Sequence, residues 1–377
     1  MMLYKNAYVF DEEKSFVHGG FTVEDGRFAS VFAGACAGEG IDLHGAYVIP
    51  GLVDIHTHGN SGADFSDGDV DGLRKMAGYL ARNGITSFAP TSMTLPYETL
   101  AKAFDTAVTV SKEQPANCAR VMGIHMEGPF FSEKKKGAQN AAYLKLPDFE
   151  AFSKLYHGCG GLLRIADVAS ELQGAVDFAR RASELCTVSI AHTDSDYEHA
   201  RDVFAAGASH LTHLFNAMPP IHHRNPGVIG AASEREDVAA ELICDGLHVH
   251  PSAVRMAFKL FPGRVCLISD ALRCCGMPNG AYELGGQTVY LDGRIARLAD
   301  GTIAGSASNL FDCLQNAIAF GIPRDEAIRA ATSLPAREIG REKEIGSIET
   351  GKYADFLICT EKLELRQVYL GGQPVSN

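Results

Sequence analysis

Nowhere in this chain does an apolar run last long enough to span a bilayer, and its opening residues, MMLYKNAYVFDEEK, lack the uninterrupted apolar centre of a secretory signal. Those two absences argue against an integral membrane protein and against an exported one. Cysteine pairing signals are missing as well. The ten cysteines contain no CxxC and follow no regular spacing, which suits reduced thiols in a cytosol rather than a disulfide framework. Positive charge is scarce: 34 Lys and Arg against 46 Asp and Glu give a net charge of −12. That balance argues against a nucleic-acid or anionic-membrane partner, although a few converging cations could still hold a small anion. No long-period repeat and no low-complexity segment occurs. What remains is an ordinary globular composition, 46% hydrophobic and 21% charged, with 377 residues for a large α/β domain and a smaller companion.

The two ends of the chain share one texture. Short strands and turns fill about the first 45 residues, with EDGR as a hairpin signal, and the last 30 or so read the same way. The ends are expected to pair into one small β domain. Between them, apolar strand-like runs alternate with amphipathic stretches. Strands are expected at 48–55, 86–90, 121–126, 162–168, 188–191, 209–212, 238–243 and 265–269. Leu73, Met76, Ala77 and Leu80 form a helical stripe closed by Gly84, Leu100, Phe104 and Val108 form a second, and Leu310, Leu314 and Ile318 a third. Eight buried strands alternating with helices point to a (β/α)8 TIM-like barrel, with a doubly wound open sheet as the rival.

Polar residues cluster at the ends of those strands. His56 and His58 close the first, Glu127 follows the third, His192 the fifth, His213 the sixth, His248 the seventh and Asp270 the eighth. In a (β/α)8 barrel these C-terminal ends meet on one rim, where active sites sit. A single histidine at a strand end is more often structural, but four imidazoles and two carboxylates from the ends of five strands, with His248 nearby, define a constellation. His56 and His58, spaced i and i+2, share a face of their strand, and Asp54 is a same-face neighbour that could orient them. Imidazole and carboxylate ligands without cysteine suit Zn²⁺, Fe²⁺, Mn²⁺ or Co²⁺. An incompletely ligated ion of this kind activates water and polarises a carbonyl, with Asp270 as the base that takes the water proton. The expected chemistry is hydrolysis of an amide, ester or related carbonyl compound.

PGLVDIHTHG resembles the first-strand motif of the amidohydrolase superfamily, metal-dependent hydrolases on (β/α)8 barrels with a flanking β-sandwich. More narrowly, GIHMEGPFFSEKKKGAQNAAYL, HLFNAMPPIHHRNPGVIGA, CDGLHVHP, SDAL and DGTIAGSASNL resemble the N-acetylglucosamine-6-phosphate deacetylase family, and IGSIETGKYADFLI is similar to the superfamily's C-terminal return strand. The division implied is 1–48 with 345–377 for the sandwich and 49–344 for the barrel. Glu127, His192 and His213 match the family's principal metal ligands. His56 and His58 match a second-metal pair, so the resemblance implies one or two divalent ions per subunit, with Glu127 bridging in the second case. Asp270 matches the catalytic acid/base. The family's substrate positions fall on Ala138, Asn216, Ala217, Arg224, His248, Ile303, Ala304 and Gly305. Arg224 matches a phosphate-binding arginine that members reach from a neighbouring subunit, which implies a homodimer. The implied reaction removes the acetyl group from N-acetyl-D-glucosamine 6-phosphate, a small amino-sugar phosphate, in the cytoplasm. The galacto epimer is the nearest alternative substrate, and a barrel that has lost its chemistry is a remote one.

A guanidinium with backbone N–H donors is a suitable receptor for a phosphomonoester in an acidic protein. Other residues are read more plainly. His125 shares a strand face with Glu127 and is placed behind the ligands. His222, His223 and His250 are expected at the surface, and EKKK at 133–136 as a solvated loop. Cys274 and Cys275, close to Asp270, raise the question of oxidation.

Overall fold

The computed structural model describes residues 1–376. The apolar runs form eight parallel strands: β1 (Leu52–Thr57), β2 (Ile85–Ser92), β3 (Ile124–Met126), β4 (Leu163–Val168), β5 (Thr187–Ile190), β6 (His210–Leu211), β7 (Ala239–Ile243) and β8 (Val265–Ile268). Their hydrogen-bonded order follows the chain from β1 to β8. Beyond β8 the chain returns to β1: the Asp270 N–H donates to the His56 carbonyl at 2.9 Å and Ala271 bridges Thr57 in parallel. A doubly wound sheet reverses its strand order at a switch point. This sheet does not, and it closes on itself, so the barrel is the fold.

Helices Val70–Arg82 and Tyr97–Glu113 pack on the outside as the periodicity predicts. Leu73, Met76, Ala77 and Leu80 are buried on the first and Leu100 and Phe104 on the second. Asp69 starts the first helix by accepting from the Asp71 and Gly72 N–H groups. Inside the barrel, Val53, Ile55, Ile165, Ile243 and Ile268 meet Ala336, Ile339 and Ile345, so that helix Ser333–Glu338 and its extension plug one end. That end is the N-terminal one: Thr187 and His210, which open β5 and β6, both hydrogen-bond Glu338.

The two chain ends pair as expected. Strands Met2–Asp11, Ser15–Glu24, Arg27–Ala33 and Ile41–Pro50 join Phe356–Cys359, Leu365–Leu370 and Gln373–Pro374 in one seven-stranded sheet. The sheet curls over Tyr4, Phe21, Phe28 and Phe356, and backbone bonds from Phe28 to Lys352 and from Ala354 to Gly26 draw its margins together. One element escaped the sequence reading. Between β8 and helix Leu310–Ala319 lies a four-stranded antiparallel meander, Gly280–Leu284, Gln287–Asp292, Ile295–Leu298 and Ile303–Ser306. Its turns at Gly285-Gly286, Gly293 and Gly301 carry the glycine signals of hairpins. Among the described residues no helix is long and apolar enough to cross a membrane.

Candidate active site

The C-terminal ends of the strands deliver the predicted residues to one place. Glu127 Oε1 lies 3.1 Å from His192 Nε2, 3.2 Å from His213 Nε2 and 3.6 Å from His56 Nε2. Its Oε2 lies 3.5 Å from His58 Nε2. Asp270 Oδ1 stands 3.2 Å from His58 Nε2 and 3.6 Å from His56 Nε2. Three of these residues reach inward through uncommon backbone: His192, His213 and Asp270 have φ of 43°, 31° and 48°. For side chains other than glycine this costs about 1–3 kcal/mol each and is found where function holds it.

Each of the four imidazoles is anchored through Nδ1. His56 Nδ1 is 2.8 Å from Glu241 Oε2, His58 Nδ1 3.1 Å from the Thr91 carbonyl, His192 Nδ1 2.8 Å from the Lys135 carbonyl and His213 Nδ1 3.2 Å from the Asn216 carbonyl. With Nδ1 spent on an acceptor oxygen, Nε2 is the nitrogen each ring turns toward Glu127 and could offer to an ion. His56 Nε2 is buried without any hydrogen-bond partner. Two triads, His56–His58–Glu127 and Glu127–His192–His213, have ligand atoms close enough to hold an ion. The donor set therefore fits a divalent transition metal.

Protons stand in for that charge in the metal-free chain. Burial disfavours the cation of His58, but Asp270, Glu127 and Asp64 outweigh it and push its pKa up to about 9. His213 likewise rises to about 9 against burial, through Glu127, Asp270 and Glu241. Burial would raise the Glu127 carboxyl, yet the bonds from His192 and His213 hold it well below the usual carboxylate range. Asp270 is also lowered against burial, by His58 and His56.

A cavity of about 230 Å³ opens above the cluster, and seven predicted substrate positions line it: Ala138, Asn216, Ala217, His248, Ile303, Ala304 and Gly305. The meander supplies the last three. Gly305 has φ of 88°, and a Cβ there would meet the Asp270 carbonyl at 3.1 Å and Leu272 at 3.0 Å, so only glycine lets this strand pass. Arg224 is not brought to the cavity. It is exposed, with Nη1 2.7 Å from His223 Nε2.

Three findings differ from, or add to, the sequence reading. Asp54 does not orient the imidazoles, because the β1 register shifts between it and Thr57. It accepts instead from Ser269 Oγ at 2.6 Å and pins β8 to β1, and burial pushes its carboxyl up to about 7. Glu241, in the middle of β7, takes the orienting role on His56. Gln139 donates from Nε2 to Glu127 Oε2 and accepts from the Thr94 N–H at 2.8 Å, fixing the carboxylate's free oxygen. Both had a faint signal, a charge inside a buried strand and an amide beside Ala138. His125 lies behind His56, with ring centroids 4.6 Å apart. His222, His223 and His250 are exposed. Cys274 and Cys275 are buried, and burial pushes their thiols up to about 11 and 12, so both stay protonated near neutrality.

A closed barrel with an imidazole–carboxylate cluster on its C-terminal rim defines a metal-dependent hydrolase of the (β/α)8 class. Residues 47–375 match the amidohydrolase family, and the chain belongs to it. The N-acetylglucosamine-6-phosphate deacetylase of Bacillus subtilis (strain 168) is 37% identical over 324 residues, 84% of this chain and 82% of its own. The N-acetylgalactosamine-6-phosphate deacetylase of Escherichia coli O157:H7 is 33% identical, covering 87% of each. A solved structure, an aspartate-to-alanine mutant of the Mycobacterium smegmatis N-acetyl-D-glucosamine-6-phosphate deacetylase in complex with N-acetyl-D-glucosamine-6-phosphate, has a TM-score of 0.93 at 29% identity, covering 100% of this chain and 99% of that one.

Proposed function

We propose that this enzyme hydrolyses the acetamide of N-acetyl-D-glucosamine 6-phosphate to glucosamine 6-phosphate and acetate. The observation that carries the reading is the placing of Asp270 beside the Glu127-centred imidazoles in one cavity, in a chain so similar to deacetylases of this specificity. Glu127, His192 and His213 would hold one ion, and His56 and His58 a second, with Glu127 between them. Zinc, iron, manganese and cobalt suit these ligands. A divalent ion there supplies Lewis acidity, which lowers the pKa of water and polarises an acyl carbonyl.

The chain's own residues do the rest. Asp270, kept ionised, accepts a proton from the attacking water and returns it to the sugar nitrogen as the C–N bond breaks. Acetate and a free amine result, with water's second hydrogen and its oxygen on the acetate side. Asn216, Ala217, His248 and the Ile303–Gly305 strand form the wall against which the sugar and its phosphate bind. The exposed position of Arg224 supports a homodimer in which it reaches a neighbouring subunit's cavity. Arg224→Ala should then raise KM far more for the phosphorylated sugar than for the free one, and equal effects would refute that role. The free thiols, unpaired throughout, support a cytoplasmic setting.

The test is acetate release by the metal-replete enzyme from the gluco and galacto 6-phosphates side by side. The galacto-specific relative makes the epimer a live second reading. Faster turnover of the gluco compound supports the proposal, preference for the galacto compound transfers it to the epimer, and turnover of neither overturns it.

A further inference from the structure

One corner of the cavity is apolar. Met93 follows β2, Leu272 follows β8, and Leu284 and Ala304 come from the meander; all four line the cavity, and each is at most 3% exposed. They belong to one contiguous apolar cluster, with Ala138 packed against it. Hydrogen bonds fix the corner from several sides. The Met93 N–H donates to Ser66 Oγ at 3.0 Å, and the Leu272 N–H to the Ser306 carbonyl at 2.9 Å. Gln287 Nε2 donates to the Ala138 carbonyl at 2.6 Å, tying the meander to the loop after β3. The far end of Met93 reaches the meander turn, where a Cβ on Gly285 would stand 3.9 Å from Met93 Cε.

The corner's place among the reacting groups gives it a role. β2 and β8 flank β1 in the closed barrel, so the corner lies on the His58 side, and Leu272 is two residues past Asp270. Asn216, Ala217 and His248, which offer polar contacts, come from the other side, after β6 and β7. An acyl carbon reacting beside Asp270 carries an oxygen, a nitrogen and an alkyl group. With the oxygen at the Glu127-centred ligands and the nitrogen joined to the sugar, the alkyl group is left for the β2–β8 side. It is also the one substituent that gains by leaving water for an apolar wall. We propose that Met93, Leu272 and Leu284 form the acyl pocket, and that Met93, spanning from β2 to the meander, limits it to an acetyl group. A longer chain would have to push buried, hydrogen-bonded segments apart. The sugar in this picture rests on the proposed function, whereas the size limit holds for any acyl group presented to the cluster.

The test is a chain-length series: the N-formyl, N-acetyl, N-propionyl and N-butyryl forms of glucosamine 6-phosphate, given to the metal-replete enzyme. From acetyl to propionyl, kcat/KM should fall about 10- to 200-fold, and further at butyryl. Met93→Ala should raise the propionyl-to-acetyl ratio of kcat/KM by about 10-fold or more. Leu284→Ala should move the ratio in the same direction and serves if Met93→Ala folds poorly. A merely structural role would lower all four substrates together and leave the ratio fixed. Butyryl turned over by the native enzyme as fast as acetyl would overturn the proposal without any variant. So would a ratio unmoved in both variants at native metal content. Failure of the native enzyme on both the gluco and galacto acetyl compounds would defeat the substrate reading alone. Acetohydroxamate and butyrohydroxamate, which chelate a divalent ion and present only the alkyl chain, then decide the pocket by calorimetry. The native enzyme should bind the aceto compound more tightly and Met93→Ala should lose that preference; equal binding by the native enzyme, or none, would overturn the pocket.

Discussion

Two sets of histidines occupy this barrel, one above the other, and they are built for opposite purposes. On the rim, His56, His58, His192 and His213 each spend one nitrogen on an anchor and turn the other toward Glu127. In the interior, His125 has both nitrogens hydrogen-bonded, and His210 is flanked by two carboxylates. His125 meets the Ile55 carbonyl at 3.0 Å and Asp167 at 2.9 Å. His210 lies between Glu338 at 2.9 Å and Glu241 at 3.3 Å. A ring between carboxylates is a cation that neutralises them, and despite its burial His210 is pushed up to about 10 by Glu241 and Glu338. Proximity alone does not make a metal site. His56, His125 and Glu241 are also close enough to bind an ion, but His125 has no lone pair to give while Ile55 and Asp167 hold it. Availability of the second nitrogen is what separates the working histidines from the supporting ones.

The comparison breaks first at Glu127. Glu127→Gln removes the anion shared by all four rim imidazoles, and kcat/KM should fall by about 10³-fold or more, together with metal content measured by elemental analysis. Asp270→Asn should lower kcat by roughly 10²- to 10⁴-fold while the metal stays bound, since the amide cannot take the water proton. In the interior the effect should move from catalysis to stability. His210→Leu takes one imidazole from the buried Glu241, which keeps His56, and, among the described residues, the only ring from the half-buried Glu338, which should cost about 3–5 kcal/mol in denaturant unfolding, with a much smaller change in kcat once the metal is restored.

The mildest probe is pH. His58 and His213 titrate near 9 in the metal-free fold and His210 near 10, above the ordinary histidine value of about 6.5. Raised pKa values give stability that is full below the unfolded value and is lost as pH climbs through the folded one. The metal-free chain should therefore lose stability from about pH 7 to pH 10 in thermal unfolding. Metal binding should show the reverse, tightening over the same range, because an ion must displace the rim protons. Parallel trends in the two experiments would mean that the rim rings do not exchange protons for metal.

Much of this was legible in the sequence because it follows from chain order. Apolar runs mark the strands, and residues that end strands of a closed barrel must meet, so His56, Glu127, His213 and Asp270 could be grouped without coordinates. What lay hidden depends on direction through space. Glu241 is one charge in the run AAELI, and nothing along the chain says that it points at His56, 185 residues away. Asp54 looked like an orienting neighbour until the shift in strand register turned it to Ser269. The meander was readable in its glycine turns, but its position over the cavity rests on Ser306 N–H reaching the Asp270 carbonyl at 2.8 Å, which no local pattern announces. Arg224 lies exposed and outside the cavity to which the resemblance assigned it.

The most direct test of the account is the metal content of the purified enzyme, native and Glu127→Gln, measured beside acetate release before and after chelation. The account predicts one or two equivalents of a divalent transition metal in the native enzyme, little in the variant, and turnover that vanishes on chelation and returns with added metal. Full turnover by a chelated enzyme that holds no metal would contradict it.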